Sequence, residues 1–139
     1  MPGYAGDLSP KEAWTLLESD ASATLIDVRT RAEWTYVGVP DLSPVNKQTV
    51  FIEWQIFPDG SRNPAFDQQV DSLELDKDTP LLFLCRSGAR SAAAASLMTQ
   101  QGFTRCYNVA EGFEGDPDGA RHRGSVNGWK VRGLPWMQG

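Results

Sequence analysis

The chain has 139 residues, of which 40% are hydrophobic and 22% are charged, and its net charge is -5. We predict one domain over residues 1–139, because this length buries enough apolar surface to fold and the composition excludes a disordered chain. The negative charge argues against nucleic acid and anionic lipid as partners, and no apolar run approaches the roughly 18 residues that span a membrane.

Two sequence patterns predict capped helices near the N-terminus. Ser9 precedes Pro10, and Glu12 lies three residues after Ser9, which is the capping-box pattern of a helix that begins at Pro10. Thr30 and Glu33 repeat the pattern and predict one further helical turn.

Apolar and β-branched runs predict the strands of the first half. They lie at residues 24–28, 36–39 and 49–52, and the third could extend toward Trp54. Residues 57–64 are dense in turn-forming residues and predict a loop, followed by a helix over residues 65–75. Strands and helices therefore alternate along the chain.

The second half is organised around one cysteine. Residues 80–84 form a continuous apolar run, which is typical of a strand buried on both faces of a parallel sheet. Cys85 follows directly, and residues 90–101 predict a helix that ends at Gly102. A last strand is predicted over residues 105–109, and the tail from residue 110 predicts turns and short helices.

This alternation predicts an α/β fold with a central parallel five-stranded sheet and helices on both faces. In such sheets, functional sites lie at the carboxyl ends of the strands. Cys85 occupies such a position, whereas Cys106 falls within a predicted strand and is interpreted as a small buried hydrophobic residue.

The N-terminal residues lack the basic start and apolar run of a signal peptide, which predicts a cytoplasmic location. In that compartment, the two cysteines would stay reduced thiols. The one histidine, His122, has no partners at metal-ligand spacing, so we expect no metal and no other cofactor.

The segment between the buried strand and the second long helix is the candidate site. It reads Cys85, Arg86, Ser87, Gly88, Ala89, Arg90 and Ser91. The backbone N–H groups of a strand-to-helix turn, the helix N-terminus and the two arginines all favour a thiolate. We therefore predict Cys85 as a nucleophile in an anion-binding loop formed by the other six residues. The simpler alternatives are a buried structural cysteine and arginines paired with carboxylates.

Three motifs together resemble the rhodanese family over residues 9–135. They are residues 25–30 with Glu33 and Trp34, the loop at 85–91, and residues 108–113 with the closing segments 127–129 and 133–135. The resemblance implies a sulfurtransferase in which Cys85 takes sulfane sulfur from a donor such as thiosulfate, forms a persulfide and passes the outer sulfur to cyanide or a thiol.

The resemblance also implies roles for the neighbouring residues. Loop N–H groups would hold the persulfide, and Arg86 and Arg90 would attract an anionic donor. Thiosulfate, a dianion, suits these arginines better than mercaptopyruvate does. Asp27 and Arg29 match a motif that is usually structural in the family. The implied partners are a small sulfur-containing anion and a thiol or cyanide acceptor, with a protein acceptor as a further possibility, and we expect a monomer.

Two other functions compete with sulfur transfer. Phosphatases and arsenate reductases of related fold use a Cys-x5-Arg loop, but only four residues separate Cys85 from Arg90, which favours sulfur transfer. The second alternative is a non-catalytic persulfide carrier or sulfur-sensing module that acts with a partner protein. The sequence leaves this alternative open.

Overall fold

The structure is a computed structural model, and it describes residues 3–56 and 60–138. Four α-helices lie in these residues, α1 Pro10–Ser19, α2 Arg31–Tyr36, α3 Phe66–Asp71 and α4 Ala89–Gln100, and a short 3₁₀ helix spans Ser43–Val45. Nine strands lie in them: β1 Gly6–Leu8, β2 Thr24–Asp27, β3 Val39–Pro40, β4 Val50–Phe51, β5 Gln55–Ile56, β6 Ser61–Arg62, β7 Leu81–Leu84, β8 Cys106–Val109 and β9 Trp136–Met137.

The central sheet has five strands in the order β1-β8-β7-β2-β4. Every neighbouring pair is parallel, so the carboxyl ends of all five strands meet at one edge. The predicted α/β fold with a parallel five-stranded sheet is thus confirmed. Strand β7 lies at the centre of this sheet, which places Cys85 in the middle of the functional edge.

Helices cover both faces of the sheet, as predicted. Leu82 and Leu84 of β7 pack with α1 on one face, in a cluster that also holds Trp129. Leu81 and Phe83 point to the opposite face and pack with α3 and α4. All four side chains of β7 are fully buried, because alternate residues of a strand point to opposite faces and both faces are covered here.

Several predicted elements match the structure closely. Helix α1 begins with the full capping box of Ser9 and Glu12, and α2 begins with that of Thr30 and Glu33. Helix α4 stops just before Gly102, which has a φ of 105°. Cys106 is fully buried in β8, and burial raises the pKa of its thiol.

The predicted strand at residues 36–39 is wrong. The helix started by Thr30 runs on to Tyr36, which is 77% exposed, and only Val39 remains in a strand. Gly38 separates the two with a φ of 112°, which lies outside the range of a regular strand. The remaining strand β3 pairs antiparallel with β9 outside the central sheet.

Other boundaries also differ from the predictions. Strand β4 does not reach Trp54, and the chain forms the antiparallel pair β5 and β6 instead. The predicted loop at 57–64 lies partly outside the described residues. Helix α3 is shorter than residues 65–75, since turns follow it and Glu74 has a φ of 55°. The described tail contains turns and β9 but no helix.

Strand β1 was absent from the prediction. It has only three residues, and its partner β8 lies about a hundred positions later in the chain, with Leu8 opposite Val109. No helix within residues 3–56 and 60–138 combines the length and apolar character needed to cross a bilayer.

Candidate active site

The loop from Cys85 to Ser91 connects the carboxyl end of β7 to the start of α4. Gly88 is the residue before the helix and has a φ of 111°, a backbone conformation that favours glycine. A side chain at Gly88 would also collide with the carbonyl oxygen of Ala110. The tight turn around Cys85 therefore requires glycine for two separate reasons.

The turn after β8 fixes the direction of the loop peptides. The N–H of Phe113 donates to the carbonyl of Cys85 at 2.8 Å, and the N–H groups of Glu114 and Gly115 donate to that of Arg86 at 3.0 and 3.1 Å. The N–H of a trans peptide points away from its carbonyl. The N–H groups of Arg86 and Ser87 therefore point away from this turn.

Because it has no side chain, Gly112 allows the turn at residues 112–115 to lie close to the loop at residues 85–91. A Cβ added there would lie 2.5 Å from the carbonyl carbon of Arg86. Gly112 also has a φ of 68°, so its backbone as well as its surroundings disfavours a side chain. The loop is held in place by backbone contacts on the side opposite α4.

The sulfur of Cys85 has two polar neighbours. The N–H of Gly88 donates to Sγ at 3.1 Å, and Ser91 Oγ lies 3.3 Å from Sγ. Cys85 is only 1% exposed and packs in the core between the sheet, α3 and α4. The sulfur thus lies beneath the loop, and a reagent must pass the loop to reach it.

The N-terminus of helix α4 lies beside this sulfur. The first N–H groups of a helix have no partner within the helix, and no side chain caps α4. The helix dipole adds positive potential at the same end. This arrangement favours an anion beside Cys85.

The two loop arginines differ in their surroundings. Arg90 forms a two-point ion pair with Glu33 of α2, with Nη1 and Nη2 at 2.7 and 2.9 Å from the carboxylate oxygens. Burial alone would lower the pKa of Arg90, but Glu33 outweighs burial and raises it. Arg86 is exposed, and its side chain has no polar partner among the described residues. The alternative that the loop arginines pair with carboxylates therefore holds for Arg90. Arg86, in contrast, exposes its charge to solvent.

Asp27 and Arg29 form a fully buried ion pair at the end of β2. Arg29 Nη2 also donates to the carbonyl of Gly38 at 2.8 Å, and its guanidinium lies 4.3 Å from the ring centroid of Phe113. This pair thereby links β2 to the turn that holds the active-site loop. These contacts agree with the structural role that the sequence resemblance implied.

Three features of the site were missed by the sequence analysis. They are the pairing of Glu33 with Arg90, the hydrogen bonds from the turn at residues 112–115 to the loop, and the contact of the Asn108 side-chain oxygen with Ser91 Oγ at 2.5 Å. Asn108 belongs to the motif at residues 108–113, and its contact could have been anticipated because it is a polar residue inside a predicted buried strand. The other two features depend on contacts between distant parts of the chain.

Comparisons with known proteins agree with this geometry. A protein family described as the STR4 middle domain matches residues 5–139. The crystal structure of Rv0390 from M. tuberculosis superposes with a TM-score of 0.88 and 46% sequence identity, and covers 98% of this chain and 99% of that chain. An uncharacterized protein of Rickettsia conorii is 40% identical over 127 residues, which are 91% of this chain and 92% of the relative.

Two more distant relatives have informative names. The chloroplastic rhodanese-like domain-containing protein 4 of Arabidopsis thaliana is 28% identical over 138 residues, which are 99% of this chain and 27% of that protein. The thiosulfate sulfurtransferase GlpE of Actinobacillus pleuropneumoniae is 27% identical over 129 residues, 93% of this chain and 90% of the relative. The similarity to both relatives therefore extends over most of this chain.

Proposed function

The chain belongs to the rhodanese-like family of the STR4 middle domain, and from this premise we propose that it is a sulfurtransferase that works through a persulfide on Cys85. One observation supports the proposal above the others. The start of α4 has no side-chain cap, and the N–H of Gly88 donates instead to Cys85 Sγ at 3.1 Å. Backbone donors at a helix N-terminus stabilise anionic sulfur.

The proposed reaction has two displacement steps. The Cys85 thiolate attacks the outer sulfur of thiosulfate; a new S–S bond forms, and sulfite leaves with the electron pair of the broken S–S bond. A nucleophile such as cyanide or a thiolate then attacks the outer sulfur of the persulfide, and Cys85 leaves as the thiolate. The two steps need no oxidant or reductant, because the electron pairs only change partners.

The surroundings of Cys85 suit a negative charge on the outer sulfur. That sulfur would lie on the loop side of Sγ, next to the free N–H groups of the loop and of α4. Exposed Arg86 would attract the anionic donor, with thiosulfate as the proposed substrate. The relative named as a thiosulfate sulfurtransferase supports this donor.

The position of Arg90 argues against phosphate chemistry. In a Cys-x5-Arg phosphatase the loop arginine serves the bound oxyanion, whereas Arg90 follows Cys85 after four residues and is bound to Glu33. A phosphoester would bind beside a loop that is one residue shorter than a Cys-x5-Arg loop. The charge of its arginine would already be balanced by Glu33. We therefore favour sulfur transfer over phosphoester hydrolysis.

The burial of Cys85 supports a second candidate, the persulfide carrier that acts with a partner protein. At 1% exposure, the sulfur is covered in the isolated chain, so docking of a partner could be needed to open the loop. A carrier would form the persulfide but turn over slowly alone. The two candidates share the chemistry at Cys85 and differ only in how the acceptor arrives.

Intact-mass measurement after thiosulfate treatment tests the proposal. The parent protein should gain the mass of one sulfur atom, Cys85→Ala should gain none, and the matched variant Cys106→Ala should still gain it. Thiocyanate release with cyanide then separates the candidates, because an enzyme turns over rapidly and a carrier turns over only slowly without its partner. Absence of any sulfur gain in the parent, with thiosulfate and with polysulfide, would contradict both.

A further inference from the structure

Three exposed arginines lie along the carboxyl edge of the central sheet. Arg86 follows β7, Arg31 is the first residue of α2 after β2, and Arg62 lies in β6 after β4. Because β7, β2 and β4 are neighbours in the sheet, these three segments leave the edge side by side. All three residues are exposed, and none of their side chains has an ion-pair partner among residues 3–56 and 60–138.

Contacts between the segments keep Arg31 and Arg62 together. The N–H of Arg31 donates to Glu53 Oε2 at 2.9 Å, and the guanidinium of Arg62 lies 4.6 Å from the ring centroid of Trp54, the next residue in the chain. Helix α2 is in turn bound to the active-site helix α4 by the ion pair described above. The three arginines therefore form an arginine row that begins at the active-site loop.

The carboxylates at the ends of β2 and β4 balance little of the arginine row. Asp27 is bound to Arg29, and Glu33 is bound to Arg90. Glu53 is half-buried and accepts the backbone N–H at the start of α2. The row therefore keeps an excess of positive charge, although the whole chain has a net charge of -5, and this local excess favours an acidic partner.

A groove beside Arg31 adds apolar surface to the row. It lies between α2 and β5 and has a volume of about 460 Å³. The residues that line it are Arg31, Ala32, Thr35, Tyr36, Glu53 and Ile56. Tyr36 is 77% exposed and Ile56 is 38% exposed, and adjoining apolar side chains that face solvent are typical of interaction surfaces. A peptide side chain suits such a groove, whereas an ion as small as thiosulfate does not fill it.

We propose that the arginine row and this groove dock an acidic segment of a partner protein that carries the acceptor thiol. The arginines would pair with its carboxylates, and the groove would hold one of its apolar side chains. The net negative charge of the chain disfavours nucleic acid as the occupant. This inference rests on the proposed function, because a docked thiol is useful only if Cys85 carries transferable sulfur.

Docking would bring the acceptor to the outer sulfur of the persulfide. The acceptor thiolate attacks that sulfur and forms a new S–S bond, and the electron pair of the old S–S bond leaves with Cys85 as its thiolate. The product is a persulfide on the partner, and no oxidant or reductant is needed.

Transfer from the loaded protein to peptide thiols tests the proposal. The two probes are short peptides that contain one cysteine and one leucine, with glutamates around the cysteine in the first and lysines in the second. Their intrinsic thiol reactivity is measured with a small disulfide and divided out. Loss of sulfur from the persulfide, followed by intact mass, should be about tenfold or more faster with the acidic peptide at low salt, and high salt should shrink the difference.

Substitution of single arginines locates the surface. Arg31→Gln and Arg62→Gln should each slow transfer to the acidic peptide about two- to fivefold at low salt, since each removes one exposed charge pair. Arg105→Gln is the matched control, because Arg105 directly precedes β8 and so lies at the opposite edge of the sheet. Transfer is counted per loaded molecule, so a change in loading does not enter.

Tyr36→Ala tests the groove separately from the charges. It should slow transfer to the acidic peptide about fivefold at low and at high salt, because salt does not screen an apolar contact. Tyr36 is 77% exposed, so the variant should fold. An unchanged rate would remove the groove from the proposed surface.

A binding measurement keeps the docking surface separate from the proposed function. The acidic peptide with serine in place of its cysteine accepts no sulfur, and its dye-labelled form should bind with an anisotropy change that is lost in Arg31→Gln/Arg62→Gln. Such binding would support the surface even if no persulfide formed. Equal rates with the acidic and basic peptides, or equal slowing by Arg105→Gln, would overturn it. Dimerisation that these two arginine substitutions abolish would overturn the partner and assign the surface to a second copy.

Discussion

The first N–H groups of α1 and of α4 have no partners within their helices, and the two helix starts satisfy them in different ways. At α1, Ser9 Oγ accepts from the N–H of Glu12, and the Glu12 carboxylate accepts from the N–H of Ser9. At α4, the corresponding position is Gly88, which has no side chain to offer, and its N–H donates to Cys85 Sγ. The first helix uses its free donors for stability, and under the proposed function the second keeps them for an anionic sulfur.

The comparison extends to how each helix start is held in place. The cap of α1 is built from residues within one turn of sequence, so it is independent of the rest of the fold. The start of α4 has no local cap and depends on remote contacts with the turn at 112–115 and with Glu33. We therefore expect the start of α4 to be more sensitive to distant substitutions than the start of α1.

Of the predicted effects, the largest should come from substitution of Gly88 by alanine, which disturbs the start of α4. The added Cβ meets both a φ of 111° and the carbonyl oxygen of Ala110. We expect a loss of about 2–4 kcal/mol in the free energy of unfolding. Displacement of the loop should lower sulfur transfer by a factor of about 100 or more. Urea unfolding and a thiocyanate assay measure the two effects.

Gly124→Ala is the matched control for backbone strain. Gly124 has a φ of 91°, but a Cβ there meets no atom within 4 Å. This variant should lose about 1 kcal/mol from strain and keep its activity. If both glycine variants lost activity equally, the specific packing of Gly88 would not matter.

Glu33→Gln sharpens the comparison because Glu33 both caps α2 and binds the active-site helix. Burial raises the pKa of Glu33, but its hydrogen bonds and attraction to Arg90 outweigh burial and lower it. A lowered carboxyl pKa stabilises the fold above the ordinary value of about 4.3, and this stability is lost as the pH falls below it. We expect Glu33→Gln to destabilise the protein by about 1–2 kcal/mol at neutral pH and much less near pH ~3.

Urea unfolding at several pH values checks this dependence. Glu12→Gln is the control, since Glu12 occupies the same capping position in α1 but has no arginine partner among the described residues. A difference between parent and Glu33→Gln that stays constant with pH would contradict the assigned role of the ion pair.

Ser9→Ala removes the local cap of α1. Loss of an N-cap side chain costs about 1 kcal/mol. Sulfur transfer should be unchanged, because α1 lies on the face of the sheet opposite α4. The thiocyanate assay and urea unfolding together check the prediction, and a clear loss of activity would contradict the separation of the two helix starts.

Arg86→Ala should give the smallest effect. Arg86 is exposed, so its removal should leave the free energy of unfolding unchanged and raise KM for thiosulfate roughly three- to fivefold at low salt. The effect should disappear at high salt. Arg121→Ala, which removes another exposed arginine, should leave KM unchanged, and an equal rise there would indicate a general charge effect.

Local patterns made most of the fold predictable. The capping boxes of α1 and α2 lie within four residues, and the run of residues 81–84 signals a buried strand by composition alone. The loop after that strand was predictable in the same way, because Cys85 and Gly88 are neighbours in sequence. The strand at residues 36–39 was predicted wrongly because the end of α2 and the turn at Gly38 together form a short apolar run that resembles a strand.

The missed features all join distant parts of the chain. Arg90 finds Glu33 57 positions away, and Asn108 finds Asp7 101 positions away. Nothing in the residues around Arg90 reveals which carboxylate will neutralise it. These pairings depend on the order of the strands in the sheet. No local sequence pattern predicts that order.

The register of the two central strands also sets the distance between the two cysteines. Cys106 lies opposite Leu81, so Cys85 is four residues further on, about 13 Å along the strand direction. A disulfide requires Cα atoms within about 7 Å, so the two cysteines do not bridge. We therefore expect that a sulfenic acid formed on Cys85 would not be resolved by Cys106 and would need a thiol from another molecule.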